Sequence, residues 1–406
     1  MKIVILCLII WGGHCSKVSY ENFKVYRVIP KSEDEVKQLH KLAEGGSYSF
    51  WKEASRVGAN VDVMVPSSHQ NGFESFISNF ENHLLIKNVQ DLINNNNVRH
   101  RSIGFDWTNY HDLDEINNWL TLLSQKHPKV TLVRGGKSYE NRTILGVKIS
   151  FKPNNKIIFI ESGIHPREWI GPATVTYILN EILTNNDPKI RKIVTRWNWY
   201  FFPVFNPDGY HYTWATDRLW RKTRKPYGNC YGADLNRNWG YHWMDGGSSN
   251  ISCNDLFAGP NAFSENESKS LSEFIGGISN KIQAYIGFHS IFQLILIPFG
   301  HAGLEVPPNN DELMRIGNIS AEAISRRYGT EYVVGNIPQA IYVASGSSSD
   351  WVLGTHRHIR YVFTYELRDR GQYGFLLPPD QIIPSGEETF DGLIAMVNEF
   401  QDEKLC

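Results

Sequence analysis

At 406 residues, with 41% hydrophobic and 13% aromatic content, the chain has apolar material for one large core and a smaller one, which excludes a disordered chain. Lys and Arg total 41 against 42 Asp and Glu, and a net charge of -1 gives no electrostatic reason to expect nucleic acid or a membrane surface as partner. Function must therefore come from local sites.

Residues 1–15 have the layout of a cleavable secretion signal: Lys2, an apolar run over 3–11, then Gly12 and Gly13. The run is too short to cross a bilayer, which needs about 20 apolar residues, and no later stretch qualifies. A buried first strand is the alternative reading. The mature protein is expected to be soluble, secreted and extracellular. Residues 20–90 read as a small α/β unit, with strands at 23–29, 60–65 and 83–87 and helices at 33–42, 72–79 and 88–93. Four asparagines, Asn94 to Asn97, then lead into Val98, Arg99, His100 and Arg101. Such a polar linker is either an ordinary solvated loop or the place where a trypsin-like protease cuts.

Beyond it strands and helices alternate, which predicts a mixed sheet covered on both faces. Buried strands are expected at 156–160, 197–205 and 284–288. Helices are expected at 113–126, 172–183, 265–276, 312–328 and 387–400. Of five cysteines, Cys7 and Cys15 lie in or beside the signal and Cys406 ends the chain. Cys230 and Cys253 remain in the body, where secretion favours a disulfide between them. Four sequons, at Asn141, Asn250, Asn266 and Asn318, are compatible with glycosylation.

The apolar run 156–160 ends in Glu161-Ser-Gly-Ile-His165-Pro166-Arg167-Glu168-Trp169, with a helix expected from Gly171. A His and a Glu three apart on a turn at a strand's end can converge on one ion, but this pattern alone is common. His289, 121 residues after Glu168, closes another apolar strand and supplies the third ligand type. Two His and one Glu form a catalytic zinc set that leaves a coordination position open for water.

With these residues in place the sequence resembles the secreted, propeptide-bearing metallocarboxypeptidases of the carboxypeptidase A and B type. The likeness covers nearly the whole chain after the signal and rests on the segments 165–169, 206–209, 218–224, 234–239, 341–351 and 363–375. It implies an α/β catalytic domain with a central mixed sheet flanked by helices over 102–406, preceded by an inhibitory, ferredoxin-like propeptide over 16–101. His165, Glu168 and His289 match the ligands of a single Zn2+, and Asp234 matches the carboxylate that orients the first histidine. Glu366 matches the general base, and Arg221 the residue that stabilises the oxyanion. Asn236 and Arg237 match the clamp for a terminal carboxylate, Arg167 a contact upstream of the scissile bond, and Tyr342 the mobile tyrosine that covers substrate. The implied partners are peptide or protein C-termini and a trypsin-like activating protease, with the enzyme acting as a monomer and binding neither nucleic acid nor membrane.

The pocket for the C-terminal side chain maps by the same likeness to Leu296, Gly300, Ile337, Ala344 and Thr364, with Ser349 at its base. These carry no charge, so apolar or aromatic C-terminal residues are expected, with weaker tolerance of polar ones. Lys and Arg specificity is the alternative if another carboxylate lines the pocket; an inactive relative acting as a binding module is the other. Ile291 stands where relatives commonly have a tyrosine. The likeness also implies cis peptides at Ser290-Ile291, Pro298-Phe299 and Arg368-Asp369.

Overall fold

The structure, a computed structural model, describes residues 17–96 and 104–401. The signal-like start, Arg99, Arg101 and Cys406 lie outside the described residues. Residues up to 96 form β1 (Lys24–Ile29), α1 (Glu33–Glu44), β2 (Ser49–Lys52), β3 (Val61–Val65), α2 (Gln70–Phe76), β4 (Glu81–Ile86) and α3 (Val89–Asn96). The four strands make an antiparallel sheet in the order β2-β3-β1-β4. Local chemistry sets the boundaries: Ser32 caps α1 by accepting from the Glu35 N–H, and Glu33, Asp34 and Glu35 fill the positive first turn. Its buried Val36 and Leu39 then pack into a core with Val28, Val61, Val63 and Phe73.

The larger unit runs α4 (Leu113–Lys126), β5 (Val130–Lys137), β6 (Thr143–Ile149), β7 (Ile157–Ser162), α5 (Ile170–Thr184), α6 (Pro188–Val194), β8 (Asn198–Phe202) and α7 (Pro207–Ala215). A short hairpin, β9 (Pro226–Tyr227) and β10 (Cys230–Tyr231), follows. The rest is α8 (Asn266–Ile278), β11 (Ile282–Ser290), β12 (Leu294–Ile297), α9 (Asn310–Tyr328), β13 (Val333–Asn336), α10 (Ile337–Ala340), α11 (Ser348–Thr355), β14 (Tyr361–Leu367) and α12 (Ile382–Asn398). Eight strands form one mixed sheet in the order β13-β12-β14-β11-β7-β8-β6-β5, with β14, β11, β7 and β8 parallel at its centre. Those central strands are buried on both faces, which is why they read as continuous apolar runs. Side chains alternate between two cores: Ile158, Ile160, Ile286, Phe363 and Tyr365 face one, while Phe159, Tyr285 and Val362 face the other.

Helix α4 has the predicted span because Asp112 and Glu115 close a capping box at its start. Helix α12 begins at Ile382 instead of 387, because Pro384 falls in its first turn, where an N–H has no intrahelical partner to lose. The small unit is clamped onto the large one by specific contacts. Trp51 packs edge-on against Phe375 at 5.2 Å, and Arg27 Nη2 donates to the Arg370 carbonyl at 2.8 Å. The Asn96 amide donates to the Leu377 carbonyl and accepts from Arg218 Nε.

Candidate active site

Three parallel strands, β7, β11 and β14, bring their carboxyl ends to one edge of the sheet, the position at which open α/β sheets bind ligands. His289 at the end of β11 pairs in register with Glu366 on β14. The loop after β7 carries His165 and Glu168 and leads directly into α5. Gly163 makes that exit possible. It sits at φ +66°, and a Cβ there would stand 3.0 Å from the backbone of Pro203 and Val204.

His165 Nδ1 lies 2.9 Å from Glu168 Oε1, His289 Nδ1 lies 3.3 Å from Glu168 Oε2, and the two Nδ1 atoms are 3.2 Å apart. All three side chains are buried. Two nitrogens bound to one tetrahedral zinc at about 2.05 Å would be separated by about 3.3 Å, so the donor set fits that ion. Burial works against the charge on Glu168, but the two imidazoles hold it far below the usual carboxylate range. Burial also disfavours a charged His289. The hydrogen bond and charge of Glu168, backed by Glu366, overcome this and raise it to about 9, so these carboxylates call for positive charge between them. The planes of the two rings differ by 66° and their nitrogens converge. His242, Asp245 and His301 form a second cluster, but its imidazoles stack at 3.8 Å and 6°, so their lone pairs run side by side.

Behind His165, Asp234 Oδ1 receives Nε2 at 3.0 Å, while Oδ2 accepts from Arg221 Nε and Nη2 at 3.1 and 2.8 Å. Burial raises the pKa of Asp234, yet Arg221, His165 and Arg237 together take it well below the ordinary value. Glu366 has the opposite balance. Burial dominates and, with Glu168 adding repulsion against the pull of His289 and Arg221, pushes it up to about 8.

Three buried arginines surround this centre. Arg237 gives Nε to the Gly247 carbonyl and Nη1 to the Asn236 carbonyl, while its buried Nη2 has no partner. Asn236 Oδ1 accepts from the Ser348 N–H at 3.0 Å, which turns its amide nitrogen the other way. The Arg167 guanidinium stacks over Phe375 at 4.1 Å. Tyr342 lies 6.0 Å from Arg237 and borders a cavity of about 1000 Å³ at the junction of the two units.

Leu296, Ile337 and Ala344 share one apolar cluster with Leu294 and Ile341, and Gly300 packs against Ile337 and the Ala344 carbonyl. Ser349 is buried with its hydroxyl 3.2 Å from that of Ser347. The sequence reading missed two buried carboxyls next to this cluster. Asp350 accepts the Gly300 N–H with both oxygens, and Glu161 lies beside Thr364 across Gly287. Glu53 was also missed. It follows β2 and is pushed up to about 7 by burial, with Arg221 and Arg237 pulling the other way. Its neighbour Lys52 sits 4.6 Å over the Phe292 ring; burial lowers its pKa from the usual lysine range, with Asp62 and, more weakly, Glu366 opposing. Both come from the small unit, where only proximity in the fold reveals them. The Cys230–Cys253 disulfide is present, and all three expected cis peptides are found.

Comparison with known proteins decides the family. The model of the zinc carboxypeptidase family matches residues 116–392, and that of the carboxypeptidase activation peptide matches 26–96. The chain is a zinc carboxypeptidase with its activation peptide. It is 46% identical over 401 residues to zinc carboxypeptidase A 1 of Anopheles gambiae, covering 95% of this chain and 92% of the relative. It is 44% identical over 302 residues to carboxypeptidase B of Astacus astacus, covering 73% and 99%. Among solved structures it is similar to carboxypeptidase A from Helicoverpa armigera, with TM-score 0.86, 31% identity and coverage of 94% and 98%. Carboxypeptidases carrying both the A and the B designation are thus similar to it, and the names leave the preferred C-terminal residue open.

Proposed function

We propose that this zinc carboxypeptidase is secreted as a monomeric zymogen and, once cut, removes single apolar or aromatic residues from peptide C-termini. The observation that carries this reading is the convergence of His165, Glu168 and His289 opposite Glu366 and beside the unpartnered Nη2 of Arg237. His165 Nδ1, His289 Nδ1 and the Glu168 carboxylate would hold the zinc, with Asp234 fixing the His165 tautomer. Zinc, when bound, lowers the pKa of a coordinated water to about 7 and polarises a carbonyl.

Glu366 takes a proton from the attacking water and hands it to the leaving amine. Arg221, with Nε and Nη2 fixed by Asp234, presents the rest of its guanidinium to the oxyanion that forms at the scissile carbon. Arg237 Nη2 and the Asn236 amide grip the terminal carboxylate, which limits attack to the last peptide bond. Arg167 contacts the residue upstream, and Tyr342 closes over the bound substrate. The apolar cluster above Ser349 receives the C-terminal side chain. Residues 1–15 are the signal, 16–101 the activation segment and 102–406 the catalytic domain, with a trypsin-like protease cutting near Arg99 or Arg101.

Glu53 and Lys52 block the site in the uncut chain, the first facing the arginines and the second the base. The test is a Phe-ended peptide against its C-terminal amide. The free acid should have a kcat/KM at least about a hundredfold higher, since a charged, bidentate contact is lost in the amide. Equal rates would mean that the arginines do not serve a carboxylate.

A further inference from the structure

Strand register places a second row of side chains directly below the row formed by His289 and Glu366. Gly287 pairs with Thr364 on β14 and with Glu161 on β7, and Thr364 pairs with Leu296 on β12. All four positions lie on the sheet face that carries His289 and Glu366, because residues two apart in a strand point the same way. Leu296 and Thr364 belong to the side-chain pocket of the proposed function, so this row forms the base of that pocket, and Glu161 is its fourth member.

Gly287 has no side chain, and the Glu161 carboxyl fills the space that one would take. A Cβ on Gly287 would stand 2.7 Å from Glu161 Oε1 and 3.8 Å from Thr364 Oγ1. Glu161 is fully buried; the Tyr285 hydroxyl donates to Oε1 at 3.3 Å, and Oε2 has no hydrogen-bond partner. Burial pushes the Glu161 carboxyl up to about 7, while the charge of His289 and hydrogen bonds from Tyr285 and from the Ser348 hydroxyl, one residue before Ser349, favour its charged form. Asp350, the other carboxyl near the pocket, accepts the Gly300 N–H with both of its oxygens, whereas Glu161 keeps one oxygen without a partner. A buried carboxylate with a free oxygen is an acceptor that attracts donors.

We propose that Glu161 is a specificity-determining residue that positions the hydroxyls of Thr364 and Ser348. Each hydroxyl has a single proton, and an ionised carboxylate only accepts. With those protons drawn toward Glu161, the floor presents lone pairs to the lumen. It then takes C-terminal side chains that end in hydrogen-bond donors, lysine and arginine above all, as a second substrate class beside apolar residues. Side chains that only accept, aspartate and glutamate, are rejected. This inference rests on the carboxypeptidase reading and on the pocket assigned there.

The test uses trypsin-cut, zinc-loaded full-length protein and peptides identical except for a final Phe, Lys or Glu. Wild type should show a kcat/KM for Lys at least about tenfold above that for Glu, the size of one charge-assisted hydrogen bond. Glu161→Gln, which is isosteric and carries its own donor, should lower the Lys-to-Phe ratio about tenfold and raise the Glu-to-Phe ratio. Ratios that stay within about twofold of wild type would overturn the proposal, because loss of a merely structural group would move all three substrates together. If Glu161→Gln does not fold, the wild-type comparison decides alone: equal Lys and Glu rates refute an acceptor floor. Release of no residue from any peptide would count against the carboxypeptidase reading itself, a different result from release without Lys-over-Glu selectivity.

Discussion

Asp234 ties the proposed metal ligand to the proposed electrophile, with one oxygen on His165 and the other on Arg221. Asp234→Asn keeps the shape and removes the charge, so zinc affinity should fall about 10- to 100-fold, as for other partners of metal-bound histidines. Competition with a chromogenic chelator measures this, and unchanged affinity would show that His165 needs no orienting anion. Glu366→Gln should lower kcat about 10²- to 10⁴-fold while zinc content stays at one per chain, because the glutamine cannot take a proton. Retained activity would remove Glu366 from the role of base. His165, Glu168 and His289 were legible because metal chemistry prescribes their types and each terminates or follows an apolar run, whereas Asp234 and Glu366 were placed by the family resemblance. Glu161 was not legible, since its meaning depends on Gly287 and Thr364 lying across two strand junctions.

At the scale of elements, the strongly patterned segments were readable and the short or edge ones were not. α4 has the span expected, fixed by its capping box, and β7 and β11 lie where buried strands were expected at 156–160 and 284–288. β12 and β13 have four residues each, too few to establish a period, and β13 is an edge strand. β5 contains Gly135 and Gly136, which weaken a strand pattern, and its pairing shifts register between Arg134 and Lys137. The loop containing Asn236 and Arg237 has little regular structure, and the Cys230–Cys253 disulfide closes it over a sequence separation of 23. Closing a loop of that length stabilises by about 3 kcal/mol in the chain-entropy account. Replacing both cysteines by serine should therefore lower Tm by several degrees and raise KM more than it lowers kcat, since the clamp is what loosens. An unchanged KM would show that the loop is held by other contacts.

On the scale of the molecule, the proposed block of the site by the small unit runs through Lys52 and Glu53. The pKa of Glu53 at the junction, about 7, lies above that of a free glutamate, about 4.3, because burial outweighs the pull of Arg221. The associated state thus binds the proton more tightly than the separated one. This contribution to association is complete below about pH 4.3 and is lost as pH rises through about 7. Inhibition of the cut enzyme by its released propeptide should accordingly weaken between pH 5 and pH 8, and Glu53→Gln should flatten that dependence; a dependence that survives the substitution would place the titrating group elsewhere. The sequence showed the two units and the polar linker but not which residues of the first enter the second, because Ser49–Lys52 is a four-residue strand with no pattern of its own.

The most direct measurement is release of C-terminal residues from a peptide set ending in Phe, Leu, Trp, Lys, Arg or Glu, before and after trypsin, with and without a zinc chelator. The account predicts release led by Phe, Leu and Trp, appearing only after trypsin and abolished by the chelator. No release from zinc-loaded, trypsin-cut protein, or release that the chelator leaves untouched, would contradict it.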